Sequence, residues 1–237
     1  MISLTIIIPV FNESKTIFKI INKILKVKIK KQIIIVDDCS TDDTKEKILK
    51  YKHKIDKIIF HKNNLGKGSA IKSAQKYIKG EYVIIQDADL EYDPKEYKKL
   101  LKPFSRYKKQ VIYGSRVLGK QRYKLKSFTS LTRIFFNHLL TILSNFINNQ
   151  NLTDAHTCYK VFPSSIFKKI KLQEKKFAFC PEVTTKISNM GIKIKELPIS
   201  YKGRSYKDGK KISYIDGIDA IVALIKYKYL KNLNNVK

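Results

Sequence analysis

The chain has 237 residues, enough for one large α/β domain with a full core, although two small domains also fit that length. Its 49 Lys and Arg outnumber 20 Asp and Glu, for a formal charge of +29; such a field draws phosphates, nucleic acid or an anionic membrane, or else reflects a solvated Lys-rich surface, and charge does not choose among them. Cys39, Cys158 and Cys180 have no metal-ligand spacing and would leave one unpaired if a disulfide formed, so they read as reduced structural residues in a cytosolic compartment.

The start, Met1-Ile-Ser-Leu-Thr-Ile-Ile-Ile-Pro9, lacks the basic segment and longer apolar stretch of a secretory signal. No uninterrupted apolar run approaches the length needed to span a bilayer, so membrane attachment is expected to be peripheral. Residues 4–10 predict a first strand, and Ile17, Ile20, Ile21, Ile24 and Leu25 fall on one helix face with Ser14 as N-cap. Residues 33–36 predict the second strand, followed by a helix opened by Thr41 or Asp42. A third strand at 58–60 leads to the Gly66-Lys67-Gly68 turn and a helix striped by Ala70, Ile71, Ala74, Tyr77 and Ile78. Residues 82–85 predict a fourth strand, and Asp93-Pro94 an N-cap and first position of another helix.

Continuous apolar strands between helices imply a mostly parallel sheet covered on both faces, with ligands beyond the carboxyl ends of the strands. Polar clusters stand at those ends: Asn12-Glu13, Asp37-Asp38 and Asp87-Ala-Asp89-Leu-Glu91. Each alone is compatible with an ordinary turn or cap. Together they direct several carboxylates toward one crevice, where repulsion calls for a cation or a proton. Asp87, Asp89 and Glu91 offer oxygen ligands suited to Mg²⁺ or Mn²⁺, and a divalent metal carrying a diphosphate answers that charge economically.

After Gly114 the pattern changes. Residues 115–127 are polar and basic; 128–147 have helical spacing, with Leu131, Ile134, Phe135, Leu139, Ile142, Leu143 and Phe146 as apolar members. The stretch is a core helix or, given Lys124, Lys126 and Arg133 nearby, one lying in a membrane headgroup region. Residues 217–230 form a second candidate of the same kind. Between them, 163–170 and 182–189 read as helices, 192–201 as an extended segment, and the basic run 202–211 as a mobile loop.

The motif set resembles family-two glycosyltransferases of the GT-A fold, in the dolichyl-phosphate mannose synthase-like branch. The resemblance spans nearly the whole chain and includes Asn64-Leu-Gly66-Lys67-Gly68, Gly114-Ser115-Arg116, Thr153-Asp154-Ala-His156-Thr157-Cys158-Tyr159-Lys160 and Arg204-Ser-Tyr-Lys-Asp-Gly209-Lys210-Lys211. It implies a single GT-A, Rossmann-like domain over 1–237: a nucleotide-sugar half at 1–114, an acceptor half at 115–212 and a C-terminal amphipathic helix at 213–237. It also implies that Pro9, Asn12, Glu13, Asp37 and Asp38 line the nucleoside pocket, with Asp87 beside the nucleotide and Asp89 and Glu91 on the metal. Glu91 stands where such enzymes often carry Gln. Lys67 would meet the diphosphate or face solvent. Arg116, Arg133 and Arg204 would bind an acceptor phosphate, since guanidinium forks match phosphate oxygens; for Arg116 a structural ion pair is the alternative. Asp154 and His156 are candidates for organising the site, with a loop Asp bonded to backbone amides and a satisfied polar His as the alternatives; Glu182 stands where the family usually carries an acidic residue near the acceptor.

The implied activity is inverting hexose transfer from a nucleotide-diphospho-sugar, GDP-mannose or UDP-glucose in type, to a polyprenyl phosphate on the cytosolic face of a membrane, with a separate anchoring partner left open. A phosphate monoester is already anionic, so no general base is assigned. The alternatives are transfer to a saccharide hydroxyl, which would require a base, and a basic nucleic-acid module, for which no usual motif is present and whose phosphates the acidic clusters would repel; no nucleic acid partner is expected.

Overall fold

β-branched runs become strands here because helices cover both faces of the sheet, so inward and outward side chains are alike buried. The computed structural model describes residues 3–118, 128–204 and 215–230, with the side chains of 128–133 outside the description. Its strands are β1 (Ser3–Val10), β2 (Lys30–Asp37), β3 (Lys57–Phe60), β4 (Tyr82–Ile85), β5 (Val111–Ser115), β6 (Lys160–Pro163) and β7 (Ile194–Pro198). They form one sheet in the order β3-β2-β1-β4-β6-β5-β7, in which β6 runs antiparallel to both neighbours and the other pairs are parallel. Leu4, Ile6, Ile7 and Ile8 of the central β1 are fully buried, each contributing about 1.5–3 kcal/mol relative to exposure.

The helices are α1 (Ile17–Lys26), α2 (Thr44–Leu49), α3 (Lys67–Gln75), α4 (Tyr97–Leu101), α5 (Phe128–Asn148), α6 (Ser164–Phe167), α7 (Phe179–Asn189) and α8 (Ile215–Ile225), the last prolonged by a wide turn at Lys226–Leu230. The first four strands and their helices follow the expected order. Ser14 is not the cap of α1: Thr16 holds that position, and the Ser14 N–H is instead donated to Asp42. Neither Thr41 nor Asp42 is the cap of α2: Asp43 holds that position, and Asp42 before it accepts the N–H and hydroxyl of Thr44; Asp93 caps the turn that begins at Pro94. The helix expected over 163–170 is only the short α6, because Pro163 closes β6 and its neighbours pair with β4.

Among the described side chains, α5 and α8 carry most of their large apolar groups outward. Thr141, Ser144, Ile147 and Asn148 form the buried side of α5, whereas Phe135, Phe136, Leu139, Ile142 and Phe146 are exposed, Phe146 by 85%. On α8 the buried side is Ala220, Ala223 and Leu224, and Ile215, Ile218, Val222 and Ile225 face out. α8 packs against both α5 and α7. Over residues 134–147, whose side chains are described, the core-helix reading does not match this arrangement. Among the described residues no helix is long and apolar enough to cross a membrane.

Candidate active site

The parallel strands β1, β2 and β4 end side by side, with Val10 in register with Asp37 and Ile7 with Ile85. Their following loops therefore converge on one crevice. Each loop holds a non-glycine residue in the left-handed region: Asn12 at φ 50°, Cys39 at φ 63° and Leu90 at φ 65°. Such backbone costs on the order of 1 kcal/mol or more per residue and persists where the surroundings enforce it, which is common at ligand sites.

The surroundings are hydrogen bonds. Asn12 Oδ1 accepts the Thr41 N–H at 2.8 Å, tying the β1 loop to the β2 loop. Buried Asp37 accepts from the Ser40 hydroxyl and N–H. Asp38, also buried, accepts the N–H groups of Leu65 (2.9 Å) and Gly66 (2.7 Å) and lies 2.6 Å from His61 Nδ1. Asp37 and Asp38 thus hold loops through their carboxylates, while Pro9 sits half-buried near the end of β1.

The β4 loop carries the charge. Lys67, first residue of α3, donates to Asp87 Oδ1 at 2.5 Å. Burial alone would depress its ammonium, but Asp87 and the sulfurs of Cys158 and Cys180 outweigh burial and hold it well above its ordinary value. The Asp89 carboxyl is pushed up to about 7, first by burial and then by Asp87 and Glu91, with Arg204 pulling the other way. Arg204 spans the crevice: its NH1 and NH2 donate to Glu13 at 3.1 and 2.9 Å, and NH2 also to Asp89 at 3.1 Å. Its Nε is buried without a partner. Glu91 accepts the Tyr201 hydroxyl at 2.8 Å and the Arg204 N–H at 2.6 Å, so it braces the segment entering the basic run.

Arg116 grips Asp154 through Nε and NH2, both at 2.7 Å, and its guanidinium carbon lies 5.1 Å from the centre of the Tyr201 ring. Burial lowers and Asp154 raises the Arg116 pKa, and the pairing wins. Tyr201 therefore joins Arg116 to Glu91. The 153–154 loop is fixed in turn by Glu196 of β7, which accepts the N–H groups of Thr153 (2.7 Å) and Asp154 (2.9 Å). His156 is pushed down to about 4 by burial and the nearby Lys160, so its imidazole is neutral at physiological pH. Glu182 is fully buried on α7 and accepts backbone N–H groups of Gln173 and Glu174. Arg133 lies on α5 with its side chain outside the described residues, as are residues 205–211 of the basic run.

Tyr201, Tyr92 and Glu196 are site-building residues that motif reasoning does not reach. Tyr92 accepts the Cys158 N–H at 3.0 Å and packs its ring 5.2 Å from that of Tyr201. The one signal in the sequence is that Tyr201 ends the extended segment immediately before the basic run.

Among the described residues no three His, Cys, Asp or Glu side chains already stand as a ready ligand set. The donor chemistry nonetheless fits a hard divalent cation: Asp87 and Asp89 are partly exposed carboxylates two positions apart, and burial, then the charges of Asp87 and Glu91, raise Asp89 even with Arg204 in contact. Glu91 fits less well, since both its oxygens are engaged.

The comparisons agree with the geometry. The chain is 29% identical over 245 residues, covering 94% of it and 72% of the relative, to dolichyl-phosphate beta-glucosyltransferase ALG5A of Trichomonas vaginalis. It is 27% identical over 205 residues to the low-salt glycan biosynthesis hexosyltransferase Agl6 of Haloferax volcanii, covering 85% of this chain and 48% of that one. Its fold matches glucosyl-3-phosphoglycerate synthase of Mycobacterium tuberculosis, solved with Mn²⁺, UDP and glucosyl-3-phosphoglycerate, at a TM-score of 0.67, 15% identity, and coverage of 95% of this chain and 80% of that one. Residues 5–171 match the model of glycosyl transferase family 2, and the chain belongs to that family.

Proposed function

We propose that this glycosyltransferase moves a hexose from a nucleotide-diphospho-sugar to a polyprenyl phosphate at a membrane surface, with inversion. The observation that carries the lipid acceptor is the outward-facing apolar surface of α5 and α8, in a chain whose crevice is otherwise lined with polar groups. The relatives named for dolichyl-phosphate glucosylation and hexosyl transfer support it. The cytosolic face and a separate anchoring partner belong to the same reading.

The donor lies across the ends of β1, β2 and β4. Pro9 and Asn12 line the nucleoside side, with Asp37 and Asp38 shaping it through the loops they hold. Asp87 and Asp89 would hold Mg²⁺ or Mn²⁺, while Glu91 braces the Tyr201–Arg204 segment beside them; the neighbour solved with Mn²⁺ and UDP favours the metal. The metal supplies positive charge to the departing diphosphate. Lys67, already at Asp87, adds a second cation at the same end. Arg116 and Arg204, with Arg133, take the acceptor phosphate, and the unpartnered Nε of Arg204 is a donor left for it. Orientation is the remaining task, because an ionised phosphate needs no deprotonation before it attacks the anomeric carbon.

The test is incubation with MnCl₂ or MgCl₂, labelled UDP- and GDP-hexoses and polyprenyl phosphate, then organic extraction. Label in the organic phase with one donor is the expected result. Label wholly aqueous with every donor contradicts the lipid acceptor, and label on an added saccharide replaces it with a hydroxyl acceptor.

A further inference from the structure

Residues 173–176 pass directly over the glycine turn that begins α3. A Cβ on Gly66 would sit 2.5 Å from the Lys175 carbonyl oxygen, and one on Gly68 would sit 2.1 Å from that of Glu174. Gly66 is also at φ 90°, a conformation that suits glycine. The Ser69 N–H is donated to the Lys175 carbonyl at 3.1 Å. These glycines are therefore required by a neighbouring backbone, whose position decides where the residue between them, Lys67, begins its helix.

Side chains outside the stretch matched by the family model hold that segment: Glu182 by the backbone amides, and Tyr227 together with Lys226 by the Glu174 carboxylate. Glu182, without solvent exposure, accepts the Gln173 N–H at 2.7 Å and the Glu174 N–H at 2.9 Å, one on each oxygen, and is paired with Lys186. Tyr227, in the turn after α8, donates its hydroxyl to Glu174 Oε1 at 2.6 Å. Tyr227 is itself fixed by Asn189, which donates to its carbonyl at 3.0 Å, and by Lys186 Nζ, 4.2 Å from its ring centre. A contiguous line of contacts thus runs from the C-terminal helix through Glu174 and the glycine turn to Lys67 on Asp87.

We propose that Glu182 and Tyr227 are positioning residues for the donor: through residues 173–176 they set the place from which Lys67 meets the diphosphate. This rests on the functional reading above for the identity of the donor, but the placement of the Lys67 turn does not. Glu182 acts at the donor end of the crevice rather than by touching the acceptor, and the C-terminal helix contributes to the same end.

Two measurements test it. Tyr227→Phe removes one hydroxyl with little change of volume, and calorimetry with UDP and GDP in MnCl₂ is expected to show about fivefold weaker binding, the scale of one net hydrogen bond. Glu182→Gln is expected to lower affinity further. In a Lys67→Met background, adding Tyr227→Phe should change affinity by less than about twofold, because the two act on one contact. Full multiplication of the two losses overturns the proposal. Amide hydrogen exchange on the ligand-free protein is the second measurement: Tyr227→Phe should speed exchange at residues 66–70 and leave β1 unchanged. Unchanged exchange at 66–70 overturns the proposal. A wild-type protein that binds neither nucleotide refutes the functional reading and the donor role together, and the exchange result then decides the placement alone.

Discussion

The crevice at the ends of β1, β2 and β4 and the outer face of α5 and α8 solve opposite problems. In the crevice, side chains are few, polar and already paired: Asp38 on two amides, Arg116 on Asp154, Arg204 on Glu13 and Asp89. On the helices, large apolar side chains stand exposed while Thr141, Ser144 and Asn148 take the inner side. The first region works by placement, so one atom matters; the second works by area, so only several residues together matter. On the proposed function, a catalytic centre and a docking face would be distinguished in this way by what a single substitution does.

The largest expected effect is at Asp89. Asp89→Ala should lower transfer by about 10³-fold or more, as loss of a charge-stabilising group does, with the melting temperature not reduced; undiminished turnover would remove the crevice from the chemistry. Next is the helix face. Replacing Phe135, Phe136, Leu139 and Ile142 together by Gln should weaken binding to anionic vesicles by about 10²-fold or more, from lost apolar burial. Nucleotide affinity should stay within about twofold, since these four side chains face outward on α5, away from the Tyr227–Glu174 contact that links the C-terminal helix to the Lys67 turn. A loss of nucleotide affinity instead would merge the regions that the comparison separates.

Arg116→Ala leaves Asp154 buried without its cation and should cost about 3 kcal/mol of stability, read by urea unfolding; Arg116→Lys should recover part of it but not the bidentate geometry. Acid sensitivity should be visible at His156. Its folded pKa of about 4 lies below the ordinary 6.5, so the unfolded chain binds the proton first and stability falls as pH drops between those values. His156→Gln should flatten that fall by about 2 kcal/mol, after discounting for partial exposure. The smallest effect is expected of Glu91→Gln: a brace that keeps its acceptor oxygen should lose only about two- to tenfold in metal affinity. A loss beyond about 10²-fold would make Glu91 a ligand.

Much of the first region was legible because its signals are local. Strands β1 to β4 are unbroken apolar runs, and the acidic residues follow them directly, so the crevice could be expected from chain order alone. What those carboxylates touch was not legible. Asp38 meets Gly66 across 28 positions and Arg204 meets Glu13 across 191, and sequence spacing carries no register for such pairs. β5 and β6 were missed because polar residues crowd their edges: β5 runs into Gly114-Ser115-Arg116, and β6 begins inside a motif rich in polar residues. Ser14 as a cap failed because Asp42, from the next loop, competes for its backbone. The direction of the apolar faces of α5 and α8 was left open, since periodicity shows that a stripe exists and not which side meets the protein.

The most direct test of the central claim, that Asp87 and Asp89 with Lys67 form a metal–nucleotide crevice, is titration of UDP and GDP into the wild-type protein and Asp89→Ala, with MnCl₂ and with EDTA. At least about tenfold tighter binding of one nucleotide with metal, abolished in Asp89→Ala, is the predicted result. Equal affinity with and without metal, or an Asp89→Ala protein that binds like wild type, would contradict it.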